Sequence, residues 1–205
     1  MAVIPAFNEE TTIGAVINAA SRAEHVEEVV VVSDGSSDRT VEVAEQAGAT
    51  VVDLGTNRGK GAALQAGLDS TQSDVILFLD ADLIGLTPEH VEALLAPVLE
   101  GTVEMTVGIF GKGRIVTDMA QRVAPHLSGQ RAIRRELLQQ LPQLDQLGFG
   151  VEVALTRFVK SNAIAWQGVV LTGVSQVMKE EKFGLVDGVS RRMRMYWEIV
   201  RTLAQ

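Results

Sequence analysis

The stretch "EVVVVSDGSSDRT", residues Glu28 to Thr40, constrains the fold of this chain more than any other. Four consecutive valines, Val29 to Val32, stop abruptly at Ser33, Asp34, Gly35, Ser36, Ser37 and Asp38. A β-branched run closed by turn formers reads as a fully buried strand that opens into a polar loop. Burial on both faces is the mark of a parallel sheet covered by helices. "VILFLDADL", residues Val75 to Leu83, repeats the device.

The rest of the first half fits that sheet, because strand and helix signals alternate with short connections. "AVIP" reads as a first strand, followed by a helical face of Ile13, Val16, Ile17 and Ala20. "SSDRTVEVAEQAG" reads as a helix with a serine or aspartate N-cap and Gly48 as its stop. "TVVDL" is a third strand, "GKGAALQAGLDS" a third helix and "DVILFL" a fourth strand. "LTPEHVEALLAPVL" is a helix with Thr87 as N-cap and Pro88 in its first turn, and Pro97 is expected to kink or shorten it. "TVEMTVGIF" alternates apolar and polar residues, as a strand with one wet face would. "TDMAQRVA", "AIRRELLQQL" and "VEVALTRFVK" read as helices and "AIAWQGVVL" as a strand. The end, "VSRRMRMYWEIVRTLAQ", reads as a basic amphipathic helix that docks on the protein's own core, on a second subunit or on a membrane surface.

Composition narrows the function. Against 18 Lys+Arg stand 26 Asp+Glu, a formal charge of -8, so no overall positive field exists to attract nucleic acid. The absence of cysteine excludes thiolate metal sites and leaves carboxylate, imidazole and amide oxygen as ligands. The N-terminus lacks the basic and apolar regions of a signal peptide, and no apolar run reaches the roughly 20 residues that span a bilayer. The expected location is the cytoplasm, with peripheral contact at the inner membrane surface if the basic terminal helix is free.

In an open parallel sheet the ligand site lies beyond the carboxyl ends of the strands, and "PAFNEE", "SDGSSDRT", "GTNRGKG" and "DADL" all fall there. "GTNRGKG" is not a Walker loop, since Gly55 and Gly59 enclose three residues and Gly61 follows Lys60. Nor is it a dinucleotide fingerprint, because the next glycine after Gly61 is Gly67. Lys60 and the loop's backbone N–H groups can still meet a phosphate or a base. Asp80 and Asp82, one residue apart at a strand end, can share a hard divalent cation whose shell a diphosphate completes. A carboxylate such as Asp34 can accept a pyrimidine N–H, and Glu9 can accept ribose hydroxyls. Asp34 and Asp38 are equally the residue type that forms Asx-turns and caps helices, and Asp38 is assigned mainly to that role.

"VIPAFNEE", "VVVSDGSSDRT", "NRGKGAALQAGL" and "LFLDADL", in that order, resemble the nucleotide-sugar-dependent glycosyltransferases of family 2, with the α/β GT-A fold. The resemblance covers nearly the whole chain. It implies one domain, 1–205, with a nucleotide-binding half (1–100), an acceptor-side half (101–188) and the terminal helix (189–205). The resemblance puts Pro5, Ala6, Glu9, Asp34 and Lys60 around the base and ribose, Asp80 at the ribose or a metal-bound water, and Asp82 on Mg2+ or Mn2+. "HLSGQRAIRRE" is similar to a segment that faces the acceptor in polyprenyl-phosphate and phosphoglycerate-using relatives. By that likeness Gly129 allows close backbone approach, Gln130 lies at the acceptor and Arg131 pairs a phosphate, while Arg134 and Arg135 read as a solvated helix face. "GFGVEVAL" resembles a segment whose glutamate lies near the donor sugar, which makes Glu152 a candidate for sugar hydroxyls or, with Asp145, for acceptor activation. Glu152 is otherwise a favourable partner for its helix dipole.

"GVSQVMKEEKFG" resembles a stretch in which histidine commonly supplies a metal ligand, and Gln176 takes that position as a weaker, neutral one. His25, His90 and His126 read as ordinary surface or helix residues. The resemblance implies a metal-dependent hexosyl transfer from a UDP-sugar, with GDP-mannose as second choice, to a phosphate-bearing or hydroxyl acceptor such as a small molecule or a polyprenyl phosphate. Two alternatives stand beside it: a catalytically weak nucleotide-sugar-binding module, and a haloacid-dehalogenase-type phosphatase built on "FLDADLIG". A homo-oligomer is a further expectation, resting on the terminal helix.

Overall fold

A computed structural model describes residues 1–111 and 128–177. "TDMAQRVA", His126 and the terminal helix 189–205 lie outside them. The described strands are β1 (Ala2–Ala6), β2 (Val29–Ser33), β3 (Thr50–Asp53), β4 (Val75–Phe78), β5 (Leu83–Ile84), β6 (Met105–Gly111), β7 (Arg131–Arg134), β8 (Trp166–Thr172) and β9 (Ser175–Gln176). The helices are α1 (Ile13–Ser21), α2 (Thr40–Gln46), α3 (Lys60–Asp69), α4 (Pro88–Leu99), α5 (Arg135–Leu138) and α6 (Val151–Ser161), with a 3-10 turn at Leu144–Gly150.

Seven strands form one sheet in the order β3-β2-β1-β4-β7-β6-β8. β1 pairs in parallel with β2 and β4, β2 with β3, and β6 with β8; β7 runs antiparallel between β4 and β6. The valine run follows from this arrangement. Val29 and Val31 face a core formed with Ile13, Val16 and Ile17 of α1 and Val91, Leu94 and Leu95 of α4. Val30 and Val32 face the opposite core, with Ala63 and Leu64 of α3 and Val151, Leu155 and Val159 of α6. With helices on both sides, each of the four valine positions of β2 has to be apolar, and the polar Ser33 comes only where the strand opens into its loop.

Tertiary packing overrides local pattern in three places. The expected wet face of "TVEMTVGIF" does not exist: Met105 to Ile109 are all buried, because β6 lies between two strands with α4 against one face. Thr106, the polar member, donates its hydroxyl to the Leu94 carbonyl at 2.7 Å. "AIRRELLQQL" is not one helix, since its first part is strand β7 and α5 begins only at Arg135. Ala132 and Ile133 are divided between the two cores, a period of two that helical spacing concealed. Arg134 and Arg135 are consequently not a solvated face. Arg134 donates to the Val98 carbonyl, and Arg135 holds the Leu68, Thr71 and Ser73 carbonyls at the end of α3.

Pro97 neither cuts α4 at its own position nor stops it before Leu99. It sits in the last turn, where it removes only one helical bond, and its carbonyl accepts from Thr102 and Val103. At the other end Thr87 and His90 form a reciprocal capping box, while His25 pairs with Glu92 on the surface at 2.7 Å. Among the described residues no helix is long and apolar enough to cross a membrane.

Gly67 lets α3 approach the sheet, since a Cβ there would overlap Val3 and press on Val32. Gly67→Val is expected to lower unfolding stability in urea by about 2 kcal/mol or more through overpacking. A change at the exposed last residue of the same helix, Asp69→Ala, is expected to cost well under that.

Candidate functional site

The loops after β1, β2 and β3 and the turn after β4 gather at one edge of the sheet. Asp34, 5% exposed, leaves β2 and uses both carboxylate oxygens on the third loop: Oδ1 accepts the Arg58 N–H at 2.7 Å and Oδ2 the Gly59 N–H at 2.9 Å. The "GTNRGKG" loop therefore spends two of its N–H groups on Asp34. Gly35 beneath it has φ +73 and no room for a Cβ against the backbone of Thr56 and Asn57. Pro5 and Ala6 end β1, and the Asp34 N–H donates to the Ala6 carbonyl at 2.8 Å. Glu9, on the first loop, accepts the Thr12 hydroxyl at 3.3 Å.

Lys60 opens α3, and its ammonium lies between two carboxylates, 2.6 Å from Asp80 Oδ1 and 2.5 Å from Glu152 Oε1. Glu152 comes from the first turn of α6. Asp80 Oδ2 accepts a second pair of donors, the amide nitrogens of Gln130 and Gln176, each at 2.7 Å. Gln130 is itself fully buried and accepts the Ser128 hydroxyl at 2.9 Å. Gln176 arrives through a short ribbon in which β5 pairs antiparallel with β9, Leu83 opposite Gln176, and the Val177 N–H donates to the Asp82 carbonyl at 3.2 Å.

These contacts set the charges. Burial alone would lower the Lys60 pKa, yet the charges of Asp80 and Glu152 and their hydrogen bonds outweigh it and hold the ammonium well above the ordinary lysine value. Burial would raise Asp80; the Lys60 charge and the bonds from Lys60, Gln130 and Gln176 outweigh that and hold it below 3.8. Arg131 lies 1% exposed in β7 with its Nε on the Ser128 carbonyl at 2.9 Å, and burial lowers its pKa to about 10 against the opposing pull of Glu152 and Asp80.

Pro5, Ala6, Glu9, Asp34, Lys60, Asp80 and Asp82 thus lie along the loop edge that the sequence reading expected, and Glu152 and Gln176 reach the same place. The segment Gly129–Arg131 lies there too, but its side chains face inward. A Cβ at Gly129 would overlap both oxygens of Asp80, so the close approach that this glycine permits is to a carboxylate of the protein. Gln130 holds Asp80, and the buried Arg131 guanidinium does not open onto the cleft, because β7 threads the middle of the sheet. Asp145 is exposed on the 3-10 turn, outside the hydrogen bonds described for the cluster. Sequence reasoning missed Gln130 and Ser128 as supports of Asp80; their signal was the polar triplet before β7, which a strand start at the loop edge would have explained.

Two consequences are measurable. Lys60→Met leaves Asp80 and Glu152 facing each other without a cation, and about 3 kcal/mol of stability should be lost at neutral pH. The Asp80 contribution is present above 3.8 and lost as pH falls through its depressed folded value, while that of Lys60 is lost only as pH rises through its raised one. The gap between wild type and Lys60→Met in thermal melts should therefore narrow toward acid pH, where Asp80 becomes neutral. A gap constant down to low pH would show that the ion triad does not carry the effect.

Comparison with known proteins gives a consistent set of relatives. The profile of the family described as "Glycosyl transferase family 2" matches residues 1–159. The glucosyl-3-phosphoglycerate synthase of Mycobacterium tuberculosis is 35% identical over 191 residues, covering 75% of this chain. The chain spans 58% of that curated relative's length. The crystal structure of the M. tuberculosis synthase in complex with Mn2+, UDP-glucose and phosphoglyceric acid superposes with a TM-score of 0.72 at 31% identity, over 86% of this chain and 70% of that one. An undecaprenyl-phosphate 4-deoxy-4-formamido-L-arabinose transferase of Pseudomonas fluorescens is 36% identical over 110 residues, 48% of this chain and 32% of that protein.

Proposed function

The chain belongs to glycosyl transferase family 2 and has the GT-A fold, and from that premise we propose that it transfers a glycosyl group from a UDP-sugar to a phosphate-bearing acceptor with the help of Mg2+ or Mn2+. The observation that carries the reading is Lys60, a cation set between Asp80 of the Asp-x-Asp turn and Glu152 at the head of α6. In this reading Pro5, Ala6, Glu9 and Asp34 receive the base and ribose. Lys60, a short reach beyond them, meets the diphosphate and stabilises the charge that develops as the glycosyl bond breaks. Glu152 borders the sugar. Its hydrogen bond to Lys60 favours it over the exposed Asp145 as the group beside the reacting centre.

The residues fit a divalent cation. Asp80 already accepts three donors, from Lys60, Gln130 and Gln176, which favours Asp82 as the direct ligand and leaves Asp80 for the ribose or a bound water. Among the described residues no three His, Cys, Asp or Glu side chains gather as a cage, and Mg2+ and Mn2+ sites of this type complete their shell with substrate phosphates. When bound, the cation would neutralise charge on the departing diphosphate. Phosphoglycerate as acceptor is supported by the relatives that use it. The family displaces the phosphatase alternative. A binding module without turnover keeps one observation in its favour, the neutral Gln176 at a metal-side position. Membrane contact and self-association rest on 189–205, outside the described residues.

UDP at about 100 times its dissociation constant should stabilise the protein by about 2.7 kcal/mol, more with Mn2+ than without. Asp82→Asn should remove the Mn2+ increment and leave the metal-free response to UDP. UDP-glucose incubated with 3-phosphoglycerate and Mn2+ should release UDP in the wild type. Binding without release would identify the module; no response to UDP at all would end the donor assignment.

A further inference from the structure

We propose that Asp38 is a positioning residue for the donor's nucleotide, acting through a clasp that locks the loop after β1 against the loop after β2; the proposal rests on the donor reading above. Three successive backbone N–H groups of the first loop point into the second. Asn8 N–H donates to Ser36 Oγ at 3.2 Å, Glu9 N–H to Thr40 Oγ1 at 2.7 Å and Glu10 N–H to Asp38 Oδ2 at 3.2 Å. Return bonds complete the clasp. Asn8 Oδ1 accepts the Ser37 N–H at 2.8 Å, and Glu10 Oε2 accepts the Arg39 N–H at 3.1 Å and its Nε at 3.3 Å.

Asp38 stands at the middle of the clasp. Its Oδ1 accepts both the Thr40 N–H, at 3.0 Å, and the Thr40 hydroxyl, at 2.5 Å. The hydroxyl of the fully buried Thr40 is thereby turned so that its oxygen receives the Glu9 N–H. A helix cap or an Asx-turn needs only the bond to Thr40 two residues on. The second oxygen, on Glu10 across the gap, is surplus to that local task. Asn8 shows the same investment, because it holds a left-handed φ of 55 that a residue other than glycine adopts at a cost.

What the clasp fixes is the relation between two halves of the proposed nucleotide site. Pro5, Ala6 and Glu9 lie on one side of it and Asp34 on the other. The loops share a backbone bond at their roots, Asp34 N–H to the Ala6 carbonyl, but beyond that point only side chains span the gap. Loosening Asp38 should therefore separate the groups that meet the base and ribose while leaving Lys60, Asp80 and Glu152 in place.

Asp38→Asn preserves shape but carries one oxygen and one NH2 group, so either Glu10 or Thr40 loses its acceptor and faces a second donor. Thr40→Val removes the relay hydroxyl, and Thr40→Ser retains it. Calorimetric titration with UDP and Mn2+ is expected to show about tenfold weaker binding in Asp38→Asn and in Thr40→Val, with Thr40→Ser close to wild type. Amide hydrogen exchange at Glu9 and Glu10 should accelerate in the same two variants while the β2 core amides keep their protection. In turnover the donor KM should rise with kcat at saturation held, a split that general destabilisation does not produce. If both variants bind UDP within about twofold of wild type, the clasp does not position the nucleotide and the proposal is overturned. A wild type that binds no UDP is a separate result, which removes the donor reading and this proposal with it. If Asp38→Asn does not fold, the contrast between Thr40→Val and Thr40→Ser decides the same question.

Discussion

A lysine ammonium between two carboxylates is an arrangement that tolerates little displacement. Lys60 reaches Asp80 and Glu152 from the head of α3, and each of its partners belongs to a different element, the turn after β4 and the first turn of α6. Two half-buried anions placed so near each other would repel and desolvate at a cost that only a shared cation offsets. The position of α6 against the sheet, the entry angle of α3 and the orientation of the Asp-x-Asp turn are therefore coupled at one point. Apolar packing supplies most of the stability, but this triad determines how the elements meet at the loop edge.

Asp80 is held from more directions than its neighbours. Lys60 takes one oxygen, Gln130 and Gln176 share the other, and Gly129 clears the space that a side chain would fill. In the proposed reading such a carboxylate would meet a ligand already oriented, with little reorganisation left when charge develops nearby. Asp34 is fixed in the same manner by the third loop. The two acids that the sequence singled out as ligand groups are thus also structural fasteners, and neither role excludes the other, since a carboxylate has about four acceptor positions.

Much of this was legible in the sequence. The valine run implied helices on both faces, and the four polar loops implied a common edge, because parallel strands bring their carboxyl ends together. The parts that were not legible share a cause. "AIRRELLQQL" has good helix formers at helical spacing, and only its pairing between β4 and β6 makes its first part a strand. Arg134 and Arg135 looked solvated because local sequence shows charge but not the carbonyls that a distant helix end presents. Asp38 looked like an ordinary cap because its second partner, Glu10, is 28 residues away. Long-range polar pairing leaves no periodic trace.

The reversed direction of β7 has an effect on how such a chain can diversify. β6 runs with β4, so it ends at the ligand edge, and β7, running against both, begins there. The end of β6 and the start of β7 therefore share an edge with the loops that carry Asp34, Lys60 and Asp80. β7 is held by β4 and β6, and the loops after β1 and β2 by their own clasp, so the two groups are fastened independently of each other. Sequence change on one side of that edge can therefore accumulate without loosening the other.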